Sequence, residues 1–393
     1  MQSNRCLLAL LLVTCGQVAW ADDSDSDKDA GWAYGGRGLE WSAPATGSYV
    51  WVGLRAQLRY TSIPGNLFYI EDYDDPEDGG GRVNRSRYKI GAGYRDQFTA
   101  YHEYDLRNSN LLDLRATWTP SPAFNLRAGQ WKAEYNRERV DSSGKQQFVD
   151  RSISNYWFTV DRQWGTMASG RINEGSSTDS QWWAGVFGGN GRNEAVGDGP
   201  PMWVGRWQWN YTGRSVPFSQ SALKRYEKPH GSLTFGGVVN DSPYTRYSSS
   251  GGGQLPGYPD VDDNRYQIRQ LMQEWAFQHH GLNIQQELHW KSIEDRDTGA
   301  TRDIVGGYVQ AGWFPASRWQ SLPEQWEVAT RVGYVDPDLG GLENGEVAFA
   351  TNWFFNGHRN KLTAEAAWLR TIDEDDSRAA NDWRFSLQWE ISI

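Results

Sequence analysis

The sequence predicts an all-β protein, a transmembrane antiparallel β-barrel of about sixteen strands. Three observations favour this fold. Apolar and polar residues alternate through many segments of about ten residues, the chain of 393 residues contains 22 Trp, and long acidic connections alternate with mostly shorter ones. Only every second residue of a membrane barrel faces lipid, so a mean hydropathy of −0.72 is compatible with membrane insertion. Trp and Tyr favour the two bilayer interfaces.

The N-terminal region divides into two segments that precede the barrel. Residues 1–21 contain Arg5, a short apolar run and an A-x-A end, a pattern that predicts a cleaved signal peptide. The run is too short to cross a bilayer as a helix. Both cysteines lie in this segment, so no disulfide is expected in the mature chain, and lipidation at Cys15 is disfavoured by the preceding Thr14. Residues 22–47 are predicted to be an acidic, solvated and partly disordered lead-in.

The barrel is predicted to occupy residues 48–393. In the first strand Val50, Val52 and Leu54 alternate with polar residues, and the last strand shows the same alternation. Pairing of these two strands would leave no open edge in the bilayer, where no water satisfies free backbone groups. Strands between them are predicted near residues 85–94, 98–106, 111–118, 124–129, 164–172, 180–188, 202–212, 231–240, 265–279, 282–293, 302–314, 324–335, 345–355 and 360–370.

A long charged loop interrupts the alternation after the strand that ends near Gly129. The loop has no helical periodicity, but it carries apolar residues such as Trp131, Phe148 and Trp157. Loops of about thirty residues between strands are usually functional or disordered. Because a disordered linker needs no apolar anchors, we interpret this loop as functional.

Four motifs in and around this loop resemble one known family. They are Gly129-Gln130-Trp131-Lys132, Ser142-Ser143, Phe148-Val149-Asp150-Arg151-Ser152 and Arg162-Gln163-Trp164-Gly165. In this order and spacing the chain resembles the phosphate-selective porin O/P family of bacterial outer membranes. The resemblance implies that a constriction loop at about 131–162 folds into the barrel and narrows the pore. It also implies a homotrimer that passes small anionic solutes of the phosphate or polyphosphate type.

The charged residues opposite the apolar rows are expected to face the lumen. Arg outnumbers Lys 31 to 8 in the chain, and the planar guanidinium suits phosphate and carboxylate oxygens. Rings of Arg or Lys are how pores select anions. The alternative is that each charge is paired and only hydrates the barrel. The predicted pore-lining and anion-binding residues of the strands are Arg55, Arg59, Arg85, Arg87, Lys89, Arg115, Arg127 and Arg171, and the inserted loop adds Lys132, Arg137, Arg139 and Arg151.

The favoured function is a passive channel in the bacterial outer membrane, surrounded by lipid and lipopolysaccharide. The loops 61–82 and 241–264 are acidic, which leaves a general non-selective porin open as an alternative. A barrel hydrolase and a soluble β-rich binding protein are further alternatives. The sequence shows no catalytic Ser/His/acid grouping and no metal-spaced histidines, so no enzyme activity, cofactor, metal or nucleic-acid partner is expected. The long segment 213–230 falls on the side of the short turns, and the sequence gives no reason for it.

Overall fold

The computed structural model describes residues 30–62, 80–194, 196, 199–248, 251–372 and 379–393. Within them the chain is almost entirely β-structure, with two short α-helices, α1 (Arg137–Val140) and α2 (Ser154–Phe158), and a 3-10 turn at Pro315–Ser317. The strands are β1 Gly31–Gly35, β2 Gly38–Ala43, β3 Ser48–Ser62, β4 Gly80–Tyr94, β5 Phe98–Asp105, β6 Asn110–Ser121, β7 Phe124–Lys132, β8 Arg162–Ile172, β9 Ser180–Phe187, β10 Met202–Trp209, β11 His230–Ser242, β12 Arg246–Ser248, β13 Gly251–Gly253, β14 Tyr266–His279, β15 Leu282–Asp295, β16 Thr301–Trp313, β17 Trp326–Leu339, β18 Leu342–Asn356, β19 Asn360–Ile372 and β20 Ala379–Ser392.

Sixteen of these strands, β3 to β11 and β14 to β20, form one closed antiparallel barrel. The barrel closes where β20 pairs with β3, with Ile391 opposite Ala56. Ile393 extends the pairing, because its backbone N–H and C=O both bond to Leu54, at 2.9 and 2.7 Å. The predicted fold class and the pairing of the first and last strands are therefore confirmed.

The phase of the predicted alternation is also correct at the closing strand. Leu54 and Tyr60 of β3 are exposed on the outer face, whereas Arg55, Gln57 and Arg59 are buried inside the barrel. A shift of one residue would exchange the two faces. The register of β3 therefore determines which charged side chains can reach the lumen.

Part of the predicted lead-in is ordered. β1 and β2 form a hairpin, and β2 pairs with the beginning of β3, with Leu39 opposite Val52. β20 pairs only with residues 55–62 of β3, so the preceding part of that strand would otherwise present a free edge. The sequence did not predict this hairpin. The predicted signal peptide, residues 1–21, lies outside the described residues.

The two ends of the barrel differ. We call the end with the connections 95–97, 122–123 and 280–281 the turn end, and the opposite end the loop end. The acidic stretch 336–344 is mostly strand, because β17 and β18 continue to a tight turn at residues 340–341. Among the described residues, no helix is both long and apolar enough to cross a membrane.

Candidate functional site

The constriction loop, residues 133–161, leaves β7 and returns to β8 inside the barrel. Its buried side chains Phe148 and Phe158 pack in one apolar cluster with inward-facing residues of the far wall, including Ile293. This burial holds the loop against β14 to β19. The prediction that the loop folds inward is confirmed, with the difference that Lys132 ends a strand and does not belong to the loop.

Glutamates on the far wall hold the loop by its backbone. Glu287 of β15 accepts the backbone N–H of Glu138 at 2.7 Å, and Glu365 of β19 accepts that of Val149 at 2.8 Å. Glu346 of β18 accepts a third loop N–H at 2.9 Å. Such bonds to a charged acceptor are stronger than neutral ones. The far wall is therefore acidic, but its carboxylates are occupied by the loop.

Two of the predicted wall arginines also contact the loop. Arg59 lies 3.1 Å from Asp150 of the loop. Arg55 is paired with Glu390 and donates a bond of 3.1 Å to the hydroxyl of Ser143. Both guanidinium groups are buried, so they position the loop and do not line an open passage.

The three predicted arginines within the loop have structural partners as well. Arg137 lies 2.9 Å from Glu274 and is fully buried, and Arg139 lies 2.6 Å from Asp161. Arg151 donates to two backbone carbonyls of the same loop, each at 3.0 Å. Sequence alternation could not show these contacts, because they depend on how the irregular loop folds on itself and against the barrel wall.

The long turn-end segment, residues 210–229, folds back into the barrel beneath the constriction loop. The Ser221 hydroxyl donates to the carboxylate of Glu327 on β17 at 2.8 Å. The backbone N–H of Gln147 in the loop donates to the side-chain carbonyl of Gln220 at 2.9 Å. The segment therefore fills the lumen next to the far wall, which accounts for its length.

The two inserted segments leave a passage along the opposite wall. A cleft of about 170 Å³ lies between the constriction loop and strands β4 to β8. Five cationic side chains and three carboxylates line it, so its formal charge is positive. The charged lining residues are Arg87, Lys89, Arg115, Lys132 and Arg162, with Glu103, Asp113 and Glu134.

The carboxylates of this cleft are paired with arginines. Arg87 lies 3.2 Å from Glu103, and Arg162 lies 2.7 Å from Asp113. Arg162 was outside the predicted set, although it belongs to a quoted motif. Arg162 is the first residue of β8, and its side chain points toward the cleft. The sequence missed it because alternation does not show the exact residue at which a strand begins.

The remaining cations of the cleft are less neutralised. Among the described residues, no carboxylate oxygen lies within 4.0 Å of the ammonium group of Lys89 or Lys132. Lys132 donates a bond of 3.1 Å to the backbone carbonyl of Asp141. Arg115 lies 3.9 Å from Asp113, whose carboxylate is closer to Arg162. The third carboxylate, Glu134, is paired with Arg127, so these three cations have no close carboxylate of their own.

A second cleft of about 360 Å³ adjoins the first on its turn-end side. Arg115 lines both clefts, and Arg127 and Arg37 line the second. None of the described residues that line it is a carboxylate. Arg37 was not predicted, because it lies in the turn of the β1–β2 hairpin, a segment interpreted as solvated lead-in.

The last two predicted residues lie beyond these clefts. Arg85 is the next inward residue of β4 toward the loop end and donates to Gln57 at 2.7 Å. Arg171 lies near the turn end of β8, where it is paired with Asp179 at 2.6 Å. Of the predicted set, the structure therefore brings Arg87, Lys89, Arg115, Arg127 and Lys132 together along the passage.

Asp141 of the constriction loop is a buried carboxyl beside the first cleft. Neither of its side-chain oxygens has a hydrogen-bond partner within the described part of the chain, and its neighbour Ser142 lines the cleft. Burial raises the pKa of Asp141 to about 7, although Arg137 and Lys132 oppose the rise. Across the residues that the structure describes, no cluster of three or more His, Cys, Asp or Glu suits a metal ion.

A family model described as phosphate-selective porin O and P matches residues 80–386, which is most of the chain. The chain belongs to the phosphate-selective porin O and P family. Family membership places this porin among outer-membrane channel proteins. A search of curated protein sequences finds no match.

Solved outer-membrane proteins share the fold of this porin. The channel DcaP of Acinetobacter baumannii is 13% identical, with a TM-score of 0.56 over 88% of this chain and 98% of that one. An anion-selective porin from Comamonas acidovorans is 9% identical, with a TM-score of 0.57 over 88% and 100%. OmpT of Vibrio cholerae in a trimer form is 9% identical, with a TM-score of 0.51 over 88% and 99%. At these identities the similarity concerns the fold alone.

Proposed function

We propose that this porin is a passive, anion-preferring diffusion channel for phosphate- or polyphosphate-type solutes, assembled as a homotrimer. The observation that carries the proposal is the excess of cations in the first cleft, where Lys89 and Lys132 have no carboxylate within 4.0 Å among the described residues. The family description and the anion selectivity of the Comamonas porin support anion preference, and the trimeric OmpT supports the assembly.

Cationic side chains recur at regular intervals along the wall of the passage. Arg85, Arg87 and Lys89 are alternate residues of β4, so their Cα atoms recur about every 6.6 Å along the wall. An anion can then approach one cation before it leaves the previous one. Conduction needs sites that attract an ion without holding it, and a row of partly hydrated cations meets that need.

Acidic residues at the loop end oppose anion entry only weakly. At physiological ionic strength, exposed charges separated by more than about 8 Å are largely screened. The cations of the cleft lie within a few ångströms of a passing ion. These cleft cations therefore dominate the charge selectivity.

The turn end is characterised by short connections. Because outer-membrane barrels have short turns on the periplasmic side, this supports an orientation with the turn end toward the periplasm.

A planar bilayer with a salt gradient tests the proposal. Purified trimer should give a reversal potential of the sign expected for anion preference, and added phosphate should reduce the chloride current. A reversal potential near zero without phosphate block would instead identify a general non-selective porin. The acidic loops of the sequence favour that second candidate.

A further inference from the structure

Three aromatic rings face the lumen in the second cleft. They begin at the level of Gly91, which is the next inward-facing residue of β4 after Lys89 toward the turn end. Trp51 of β3 lies opposite Gly91 of β4, which lies opposite Tyr101 of β5. The ring centroids of Trp51 and Tyr101 are 5.9 Å apart. Tyr49 occupies the next inward position of β3. Together these rings form an aromatic platform on the passage wall, which we define as Tyr49, Trp51 and Tyr101.

Glycines of β4 allow the rings to lie against the wall. A Cβ atom at Gly91 would lie 2.3 Å from the indole of Trp51, and one at Gly93 would lie 2.2 Å from the ring of Tyr49. Aromatic side chains that cover a cross-strand glycine lie along the sheet surface. All three platform residues remain partly exposed, so their outer faces border the passage.

Cations and neutral hydrogen-bonding groups surround the platform. The guanidinium of Arg115 lies 4.7 Å from the ring centroid of Tyr101, and that of Arg37 lies 4.7 Å from the centroid of Tyr49. Arg127, which is also paired with Glu134, lines the cleft as well, and hydroxyl and amide side chains such as Thr117 and Asn125 complete the lining. The cleft therefore combines flat apolar surface, guanidinium donors and neutral polar groups.

We propose that this second cleft binds small carboxylates that carry an aromatic ring, of the benzoate type, as they pass through the channel. The ring packs on Trp51 and Tyr101, and the carboxylate accepts hydrogen bonds from the guanidinium of Arg115 or Arg127. Inorganic phosphate can use the arginines but offers no ring to stack. The inference rests on the proposed function, because it assumes that anions enter the passage.

The competing role of the platform is only to hold the arginines by cation–π contact. In that case the rings would favour every anion equally. Direct stacking favours only anions with a ring. The ratio of benzoate binding to acetate binding therefore separates the two roles, since both anions carry one carboxylate and differ in the ring.

The test is block of chloride current through single trimers in a planar bilayer by sodium benzoate, sodium acetate or sodium phosphate at constant ionic strength. We expect benzoate to block at concentrations about three- to tenfold lower than acetate. Trp51→Leu should remove most of this difference and leave phosphate block unchanged. Trp118→Leu is the matched control, because Trp118 lies on the exposed outer face of β6. Tyr101→Leu is the second variant if Trp51→Leu does not assemble.

Equal block by benzoate and acetate in the unmodified channel would overturn the inference. So would a Trp51→Leu or Tyr101→Leu channel in which block by all three anions weakens by the same factor, because that result assigns the rings to arginine support. The benzoate-to-acetate ratio compares two anions of equal charge. A failure of anion preference in the salt gradient would therefore be recognised separately, as a failure of the proposed function.

Discussion

Gln147 of the constriction loop donates its backbone N–H to the side chain of Gln220 in the turn-end segment, across 2.9 Å. Residues Gln147 and Gln220 are thus joined inside the barrel although they enter it from opposite ends. The Gln220 N–H in turn donates to the backbone carbonyl of Lys145 at 3.1 Å. The two inserted segments form one packed unit that confines solutes to the opposite wall.

Loosening the turn-end segment should therefore loosen the constriction. Phe218 lies under the guanidinium groups of Arg137 and Arg206, at 4.7 and 5.6 Å. Phe218→Ala should give noisier open levels and a larger mean conductance, with the trimer still assembled. Leu223→Ala, at a more exposed position of the same segment, is the control. Identical single-channel records for Phe218→Ala and the unmodified protein would show that the segment does not support the loop.

Deleting residues 137–147 should raise single-channel conductance severalfold. The deletion removes Val140, Ser142 and Ser143, which border the first cleft, while Glu274 keeps its partner Arg206 at 3.0 Å. The barrel strands themselves are not altered, so heat-modifiable migration in gels should persist. An assembled deletion variant with unchanged conductance would contradict the assignment of this loop as the constriction.

Neutralising Arg87 should lower anion preference more than neutralising Arg171. Arg87→Gln leaves Glu103 and Asp105 of the passage wall without their common partner, so it removes one positive charge and frees two negative ones. Arg171 is paired with Asp179 near the turn end and lies outside both clefts. Reversal potentials in a salt gradient measure the difference. Equal shifts for Arg87→Gln and Arg171→Gln would show that total charge, and not the cleft, governs selectivity.

Anion preference should fall as the pH rises from 6 to 8. Burial raises the pKa of Asp141 to about 7, so its carboxyl is mostly neutral at pH 6 and becomes negative beside the cleft above pH 7. The raised pKa also affects stability. Between about pH 4 and pH 7 the folded protein keeps the proton on Asp141, whereas the unfolded chain releases it. The contribution of this carboxyl to stability is therefore lost as the pH rises toward 7. Asp141→Asn should flatten the selectivity profile, whereas Asp303→Asn, at an exposed position of β16, should not. A steep profile that persists in Asp141→Asn would assign the titration to another group.

The sequence predicted the barrel because side-chain alternation is a local property of each strand. The same alternation correctly turned Arg87 and Lys89 inward, since both lie in the middle of β4. It could not separate them from Arg137 and Arg139, whose partners come from β14 and from the far end of the loop. Whether an inward arginine faces water or a carboxylate depends on contacts between distant segments.

The turn-end segment and the N-terminal hairpin were unpredictable for a related reason. Residues 210–229 contain no long periodic pattern, and their burial follows from the space that the constriction loop leaves against the far wall. Arg37 reaches the second cleft because β2 covers the part of β3 that β20 leaves unpaired. The first feature depends on the lumen space that remains beside the constriction loop, and the second depends on the strand edge that β20 leaves unpaired.

The reversal potential of the double variant Lys89→Gln/Lys132→Gln shows whether the cations of the first cleft select anions. These two lysines line the cleft without a carboxylate within 4.0 Å among the described residues, so their removal should break no ion pair within that distance. Lys228→Gln, at an exposed position of the turn-end segment, is the matched control. We predict a clear shift toward cation preference and weaker phosphate block in the double variant, with no shift in the control. An unchanged reversal potential in an assembled double variant would show that these lysines do not select anions.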